Sequence, residues 1–394
     1  MGAAMKTFKV GVLGVGDISD VYIENLKKYA IVDVVGCAGR DPERVRRKAR
    51  RHGIPRAYAT VDDLFSDRDI DIVLNLTAPA VHASLTLAAL CAGKHVYSEK
   101  PLAVTFEEGR EIIEVAKQQG RQLGCAPDTI LGGRLQTCRQ LIDDGGVGQV
   151  LAASAFAVSR GPEWFRPNPE FLYRRGGGPL LDIGPYYLSA LVSLLGPIRR
   201  CSAMARKSGS QRVVESGPQQ GKVLKVEEPT HVTANLEFVS GAVATLITSY
   251  DVWDSELPRL ELYGDGGTIC LNDIDPCDGP NLFGGRVLLR TRRNYRWQHL
   301  PRADAALSEW EEVPIVHPFN ETSHRENSRA IGLVDMAYAI AEHREPRVNA
   351  QMALHALEAM HGILRSGESL AAYAMETTCS RLAPLPVDSL WEGV

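Results

Sequence analysis

Net charge is nearly absent from this sequence: 44 lysines and arginines stand against 48 aspartates and glutamates, a formal charge of −4. So weak an imbalance argues against generic binding to nucleic acid or to an anionic membrane surface, both of which need a basic field. No CxxC pair occurs among the eight cysteines, which lie at 37, 91, 125, 138, 201, 270, 277 and 379. Several sit in apolar runs, Cys37 in VVGCAG and Cys125 in LGCAP, which reads as buried free thiols in a reducing compartment. Nor does any uninterrupted apolar stretch reach the roughly 18 residues of a membrane span. The opening MGAAMKTFKV lacks the apolar segment of a secretory signal, so a cytoplasmic location and no membrane partner are expected. Internal repeats and low-complexity tracts are missing as well. What is present is a chain of 394 residues, 44% apolar, long enough for two or three domains and able to bury a full core.

From Phe8 to about Ala126, short β-branched runs alternate with helical segments. FKVGVLG, VDVVGCA, DIVLNLT, HVYSEK and RQLGCA read as strands; DISDVYIENLKKY, the basic PERVRRKARRHG and AVHASLTLAALCAG read as helices. Gly93 is placed as a helix stop, and Thr105 with Glu108 forms a capping box for a helix running to Gly120. Alternation of this kind predicts a parallel, doubly wound α/β sheet of the Rossmann type over residues 1–127. Residues 128–394 differ in texture. A helix at Leu135–Asp143 precedes strand candidates at Val150–Val158, Val232–Phe238, Ala242–Ser249 and Arg259–Tyr263, with FVSGAV as a hairpin signal. Loops are expected at 159–180 and 207–229, helices at Arg325–Glu342 and Ala350–Ser366, and a surface tail in CSRLAPLPVDSL. Together these predict an α+β domain with an open, mostly antiparallel sheet.

Gly14-Val-Gly16-Asp17-Ile18-Ser19 follows the first strand and opens the first helix, the position a dinucleotide fingerprint requires. Gly14 would permit the tight turn, and Gly16 would let the backbone approach a pyrophosphate seated on the free amides of the helix start. Ser19 stands where a third glycine is usual. At the end of the second strand, where an Asp or Glu commonly grips the adenosine ribose, the sequence has Gly39-Arg40-Asp41. Arg40 suits a 2′-phosphate and Asp41 a ribose, so NAD and NADP both remain open. The following basic helix reads as a solvated face.

The strand HVYSEK ends in Ser98-Glu99-Lys100-Pro101. Sheets of this kind bind ligands at the carboxyl ends of their strands, which puts Lys100 in the cleft. Desolvation and a cationic nicotinamide ring would lower its pKa and fit it for proton transfer. The plain alternative is a surface lysine at a strand end.

GVLGVGDIS, LNLTAPAVH, GKHVYSEKPLA, GGGPLLDIGPYYL and the closing AYAIAEHREPRVNAQMALHALEAM together resemble the Gfo/Idh/MocA family of nicotinamide-dependent sugar and polyol oxidoreductases. The resemblance implies that Lys100 contacts the nicotinamide ribose and the substrate hydroxyl, and that Glu99 supports the ribose region. It also implies that Asn75, Thr77 and Pro79 line the cofactor; His82 matches the family's histidine on the next helix and reads better as structural. The family pattern D-x-G-x-H falls on Asp182-Ile-Gly184-Pro-Tyr186, so tyrosine replaces the usual histidine, and Ser189 stands where an acidic residue is frequent. Dihydrodiol dehydrogenase-like and glucose–fructose oxidoreductase-like branches use tyrosine there as acid/base. That shifts catalysis to Tyr186 with Lys100, Asp182 orienting Tyr186 or binding a neighbouring hydroxyl; ordinary aromatic packing is the alternative for Tyr186. In the loop before this motif, Trp164 and Tyr173 would stack on a sugar ring. Arg166 and Arg174 would fork onto a carboxylate, phosphate or sulfonate, unless the loop is simply salt-bridged. His355 reads as structural.

Three functions follow. The first is hydride transfer between NAD or NADP and a ring hydroxyl of a sugar, glycoside or cyclitol, anionic or neutral. The second is a redox-neutral NAD-dependent glycoside hydrolase on the same scaffold, working by oxidation at C3, elimination, hydration and reduction, on a sulfonated or uronic sugar. The third is a noncatalytic nucleotide sensor. Pairing of open sheet faces is common in the family, so a homo-oligomer, dimer or tetramer, is expected. No metal site is indicated.

Overall fold

The computed structural model describes residues 6–272, 282–292, 309–322 and 327–386. Cys277, the first residues of the helix expected from Arg325, and the end of the tail from Val387 lie outside the described residues. The chain divides into two compact units. The first comprises Met1–Gly132, Ser323–Leu357 and Leu382–Val394; the second comprises Gly133–Thr322 and Glu358–Arg381. A single cut at residue 127 therefore misses a return: a late segment of the chain folds back into the first unit.

The first unit is built on β1 (Phe8–Leu13), β2 (Val32–Ala38), β3 (Arg56–Ala57), β4 (Ile72–Asn75), β5 (His95–Ser98) and β6 (Leu123–Cys125). All pair in parallel in the order β3-β2-β1-β4-β5-β6. The chain runs outward from β1 on one side and then restarts at β4 on the other. That reversal is the switch point where such sheets bind ligands. Helices α1 (Ile18–Leu26), α2 (Pro42–His52), α3 (Val61–Ser66), α4 (His82–Cys91) and α5 (Phe106–Gln118) connect the strands. The expected capping box at Thr105 and Glu108 is present, and Thr60 with Asp63 forms a second one. On α2, Val45 and Ala49 are buried while Arg44, Arg46, Arg47, Arg50 and Arg51 face solvent. The returning helix α8 (Ile331–Ala341) is apolar from Ile331 through Met336 except for Asp335, and packs on β6 and α1. Buried Asp335 receives Arg344 at 2.8 Å and Arg347 at 2.6 Å, which satisfies its charge.

In the second unit, α6 (Gly133–Asp143) leads into β7 (Val150–Val158), α7 (Gly178–Leu195) and β8 (Ile198–Arg206). Next come the small hairpin β9 (Gln211–Val213) and β10 (Val223–Lys225), then β11 (His231–Phe238), β12 (Val243–Ser249), β13 (Leu260–Gly264) and β14 (Gly267–Leu271). β15 (Leu288–Thr291) and β16 (Glu311–Glu312) follow, and β17 (Tyr373–Ala374) comes after helix α9 (Ala350–Ser369), whose residues belong to the first unit up to Leu357 and to the second from Glu358. Nine strands form one sheet in the order β16-β15-β14-β13-β7-β12-β11-β8-β17. Among the described residues, only the β7–β12 pairing is parallel; the rest are antiparallel, as the open-sheet expectation has it. Both outermost strands are two residues long, which leaves little edge for another chain to pair with. Val232, Ala234, Leu236 and Phe238 alternate along β11 toward α7, which packs across β7, β11 and β12. Helix α7 has the length and apolarity of a membrane span, yet 89% of it is buried in this core.

Candidate active site

In the first unit the backbone alone shapes a dinucleotide loop. Gly14 has φ +93°, and a Cβ there would lie 2.7 Å from the carbonyl carbon and oxygen of Leu76. Only glycine fits. A Cβ on Gly16 would meet nothing within 4 Å, so the turn is open on the side a phosphate would approach. Asp17 occupies the N-cap of α1 without bonding the helix amides; its carboxylate pairs instead with Arg44 at 2.9 Å. The amides of Ser19 and Asp20 close the first turn onto Gly16 O at 3.3 Å and Asp17 O at 3.4 Å, so an anion would meet the turn ahead of them, from Gly16 to Ile18. Ser19 is fully buried and donates to Gly16 O at 2.6 Å, so the position of the third glycine here serves to brace the loop. These residues fit a dinucleotide's pyrophosphate.

At the end of β2, Gly39 sits between Val15 and Val45, and Arg40 is exposed with no hydrogen-bond or ion-pair partner among the described residues. Asp41 caps α2, its Oδ1 accepting the amides of Glu43 at 3.0 Å and Arg44 at 3.2 Å. Its carboxylate is therefore engaged with the helix.

Asn75, at the end of β4, is completely buried. Its amide donates to Thr86 Oγ1 at 3.1 Å, and its oxygen accepts the Thr77 hydroxyl at 2.7 Å, so it shapes the LNLTAP turn from inside. Thr77 and Pro79 are half-buried on that turn. Both ring nitrogens of His82 meet carbonyl oxygens, Pro101 O at 2.8 Å and Thr77 O at 2.9 Å. That ties the turn to the segment after Lys100 and accounts for the ring as a structural clamp.

Lys100 follows β5 at the carboxyl edge of the sheet, half-buried, before a cis peptide to Pro101. Glu99 beside it faces inward. Its Oε1 accepts the Tyr22 hydroxyl at 2.8 Å and Arg329 at 3.3 Å, and its Oε2 accepts the Lys100 amide at 2.8 Å. Below lies Asp128, buried, accepting from Tyr97 OH and from the Ala330 amide at 2.5 Å. Burial pushes the Asp128 carboxyl up to about 6. Neither Arg329 nor Asp128 was among the sequence candidates, because their partners are remote in the chain.

In the second unit, Asp182 and Tyr186 lie one turn apart on α7, hence on one face. The buried Tyr250, just after β12, donates its hydroxyl to Asp182 at 2.9 Å. Burial and the Asp182 charge hold that phenol well above its ordinary range, so it stays a donor. Tyr173 does not present a ring for stacking: it is 1% exposed, packs edge-on against Tyr250, and gives its hydroxyl to buried Glu163. Trp164, by contrast, is 48% exposed, edge-on to Phe165. Arg174 is paired with Glu170 at 2.7 Å and Glu227 at 3.2 Å, the salt-bridged alternative, whereas Arg166 lies over Phe165 with no carboxylate partner among the described residues. The described residues contain no cluster of three or more His, Cys, Asp or Glu suited to a metal ion.

Comparison with known proteins agrees with these two units. Residues 8–126 match the model of an oxidoreductase family with an NAD-binding Rossmann fold, GFO_IDH_MocA, and residues 135–270 match the GFO/IDH/MocA C-terminal domain. A D-xylose dehydrogenase from Paenarthrobacter nicotinovorans is 23% identical over 77% of this chain and 78% of its own. A 1,5-anhydro-D-fructose reductase from Ensifer adhaerens is 33% identical over 44% of this chain; the match spans 52% of the reductase. Among solved structures, an NAD binding oxidoreductase from Klebsiella pneumoniae superposes with a TM-score of 0.78 at 20% identity, covering 93% of this chain and 98% of its own.

Proposed function

The chain belongs to the Gfo/Idh/MocA family of oxidoreductases, and from that premise we propose that it transfers a hydride between a nicotinamide dinucleotide and a ring hydroxyl of a sugar, glycoside or cyclitol. The observation that carries the reading is the carboxyl edge of the parallel sheet. There one strand ends in the Gly14–Gly16 turn and another in Glu99-Lys100. The dehydrogenase and reductase among its relatives, both acting on sugars by name, support the substrate class. When bound, the dinucleotide supplies hydride acceptance and donation. Gly14, Gly16, Asp17 and Ile18 would hold its phosphates, Gly39 and Arg40 would serve its adenosine end, and Thr77 and Pro79 would border it.

Removing a hydride from a carbinol carbon requires that the hydroxyl proton leave too. Tyr186, on α7, has the chemistry to exchange that proton, and Lys100, at the carboxyl edge of the parallel sheet, has that of a hydrogen-bond donor to an oxygen on which negative charge develops. Asp182, oriented by Tyr250, binds a neighbouring hydroxyl. We further place the protein in the cytoplasm, as a homo-oligomer; the seven described cysteines, none in a disulfide, are in keeping with a reducing compartment.

The test is a panel of neutral and anionic p-nitrophenyl glycosides and free sugars, with NAD or NADP, followed for reduced cofactor and for nitrophenolate. Reduced cofactor in step with oxidised sugar is expected. In Y186F, turnover should fall by about a hundredfold or more with cofactor binding retained. Nitrophenolate released over many turnovers without net cofactor reduction would replace this reading with the redox-neutral glycosidase. A K100A protein that kept full activity would sink both.

A further inference from the structure

We propose that Arg329 is a positioning residue for Lys100, acting through Glu99. The inference rests on the reading of Lys100 as a group that serves the reaction. Glu99 is 8% exposed, and a carboxylate so far from water needs a counter-charge. Arg329, 9% exposed, supplies one at 3.3 Å from a segment 230 residues later in the chain.

That segment cannot follow the carboxylate if it turns. The Arg329 carbonyl accepts Asn25 Nδ2 at 2.9 Å, and the Asn327 carbonyl accepts the same nitrogen at 2.6 Å. The Arg329 amide donates to Asn327 Oδ1 at 3.1 Å. Ala330, next in line, is held at φ +83° with its amide on Asp128. With its backbone anchored in this way, Arg329 holds its guanidinium on Oε1 of Glu99, and the Tyr22 hydroxyl on α1 donates to the same oxygen. Oε2 is then aimed at the Lys100 amide. The hub thus ties the root of the Lys100 side chain to α1, the helix that begins at the dinucleotide loop. It also holds the Glu99 carboxylate, one residue away, on the Lys100 amide. Glu99 on this account orients Lys100 in place of supporting a ribose.

A substrate-independent readout is the acylation rate of the Lys100 amine by acetic anhydride, measured by mass spectrometry relative to Lys117, near the end of α5. In R329M the released carboxylate turns to the ammonium and raises its pKa. Labelling of Lys100 should slow about tenfold, the effect of one pKa unit, while the Kd for reduced cofactor changes less than about threefold. R329K should restore the rate to within about twofold, because it keeps the charge. With a substrate from the panel, R329M should lower kcat about thirtyfold and leave KM nearly unchanged. A folded R329M with wild-type Lys100 labelling overturns the proposal. Should R329M fail to fold, E99Q/R329M removes the stranded charge; Lys100 labelling in it equal to that of E99Q alone supports the hub, and a further tenfold loss overturns it. A wild-type protein silent on every substrate, with the labelling pattern as expected, would count against the proposed function and not against the hub.

Discussion

Asp128 shows how a single buried group contributes to the pH response of the first unit. Its carboxyl, moved by burial from 3.8 to about 6, binds a proton more readily folded than unfolded. The stability it contributes is therefore full below about pH 4 and is lost as the pH rises through about 6. Asn at this position cannot titrate, and its NH2 would oppose the Ala330 N–H that the carboxylate now accepts. D128N should be less stable than wild type at all pH values, with a gap that shrinks by about 2 kcal/mol between about pH 4 and pH 7. Urea denaturation across that range measures it; parallel wild-type and variant curves would show that Asp128 is ionised throughout. Tyr97, donating to the same carboxyl, stays protonated over this range, its phenol pushed well up by burial, so it does not confound the comparison.

At the scale of an element, the N-terminus of α2 bears on which dinucleotide the loop would prefer. Pro42 at the first turn and Gly53 in the left-handed region at the other end fix the helix limits, and Asp41 is consumed as its cap. With that carboxylate facing the helix amides, the residue left toward an adenosine ribose is the unpaired Arg40, which favours a 2′-phosphate. NADP should bind about tenfold or more tightly than NAD, and R40A should lose that margin while leaving NAD binding unchanged. Equal affinities in the wild type, by fluorescence titration, would refute it. The cap was not readable in advance: Gly39-Arg40-Asp41 is equally consistent with Asp41 turned to the ribose. Where local periodicity suffices, the sequence was enough, as at β2 (Val32–Ala38) and β7 (Val150–Val158). Helix α7 begins within a Gly-Gly-Gly-Pro run that reads as loop, and it carries Pro185 inside, so its first turns were hidden. Strand β8 was missed because Arg199 and Arg200 break its alternation; they are neutralised across the sheet by Glu237, at 3.3 and 2.5 Å. The site divides in the same way. Gly14, Gly16, Lys100 and Asp182 sit in local motifs, whereas Arg329 with Glu99, and Tyr250 with Asp182, are pairings only the fold creates.

For the whole molecule, the sheet of the second unit poses the largest unsolved burial problem. One face carries the apolar residues that meet α7. The other presents Ser154, Ser202, Asn235, Thr245 and Tyr263 along a shallow groove, flanked by Met204, 77% exposed, and Val243, 53% exposed. Its charges are largely self-compensated, since Arg200 pairs with Glu237, so the groove is polar and nearly neutral. Such a face suits a second copy of itself: sheets stack about 10 Å apart, and a two-fold axis brings each strand's residues against the same strands of the partner. The expected species in solution has at least twice the chain mass of 43.0 kDa by light scattering. Asn235, exposed at the middle of β11, is the sensitive position, because an arginine there meets its own symmetry mate or a close neighbour. N235R should shift the protein to 43.0 kDa while retaining cofactor binding, since the dinucleotide loop belongs to the other unit. A wild type already monomeric at micromolar concentration would mean that this face stays wet. An oligomer untouched by N235R would mean that another surface makes the contact.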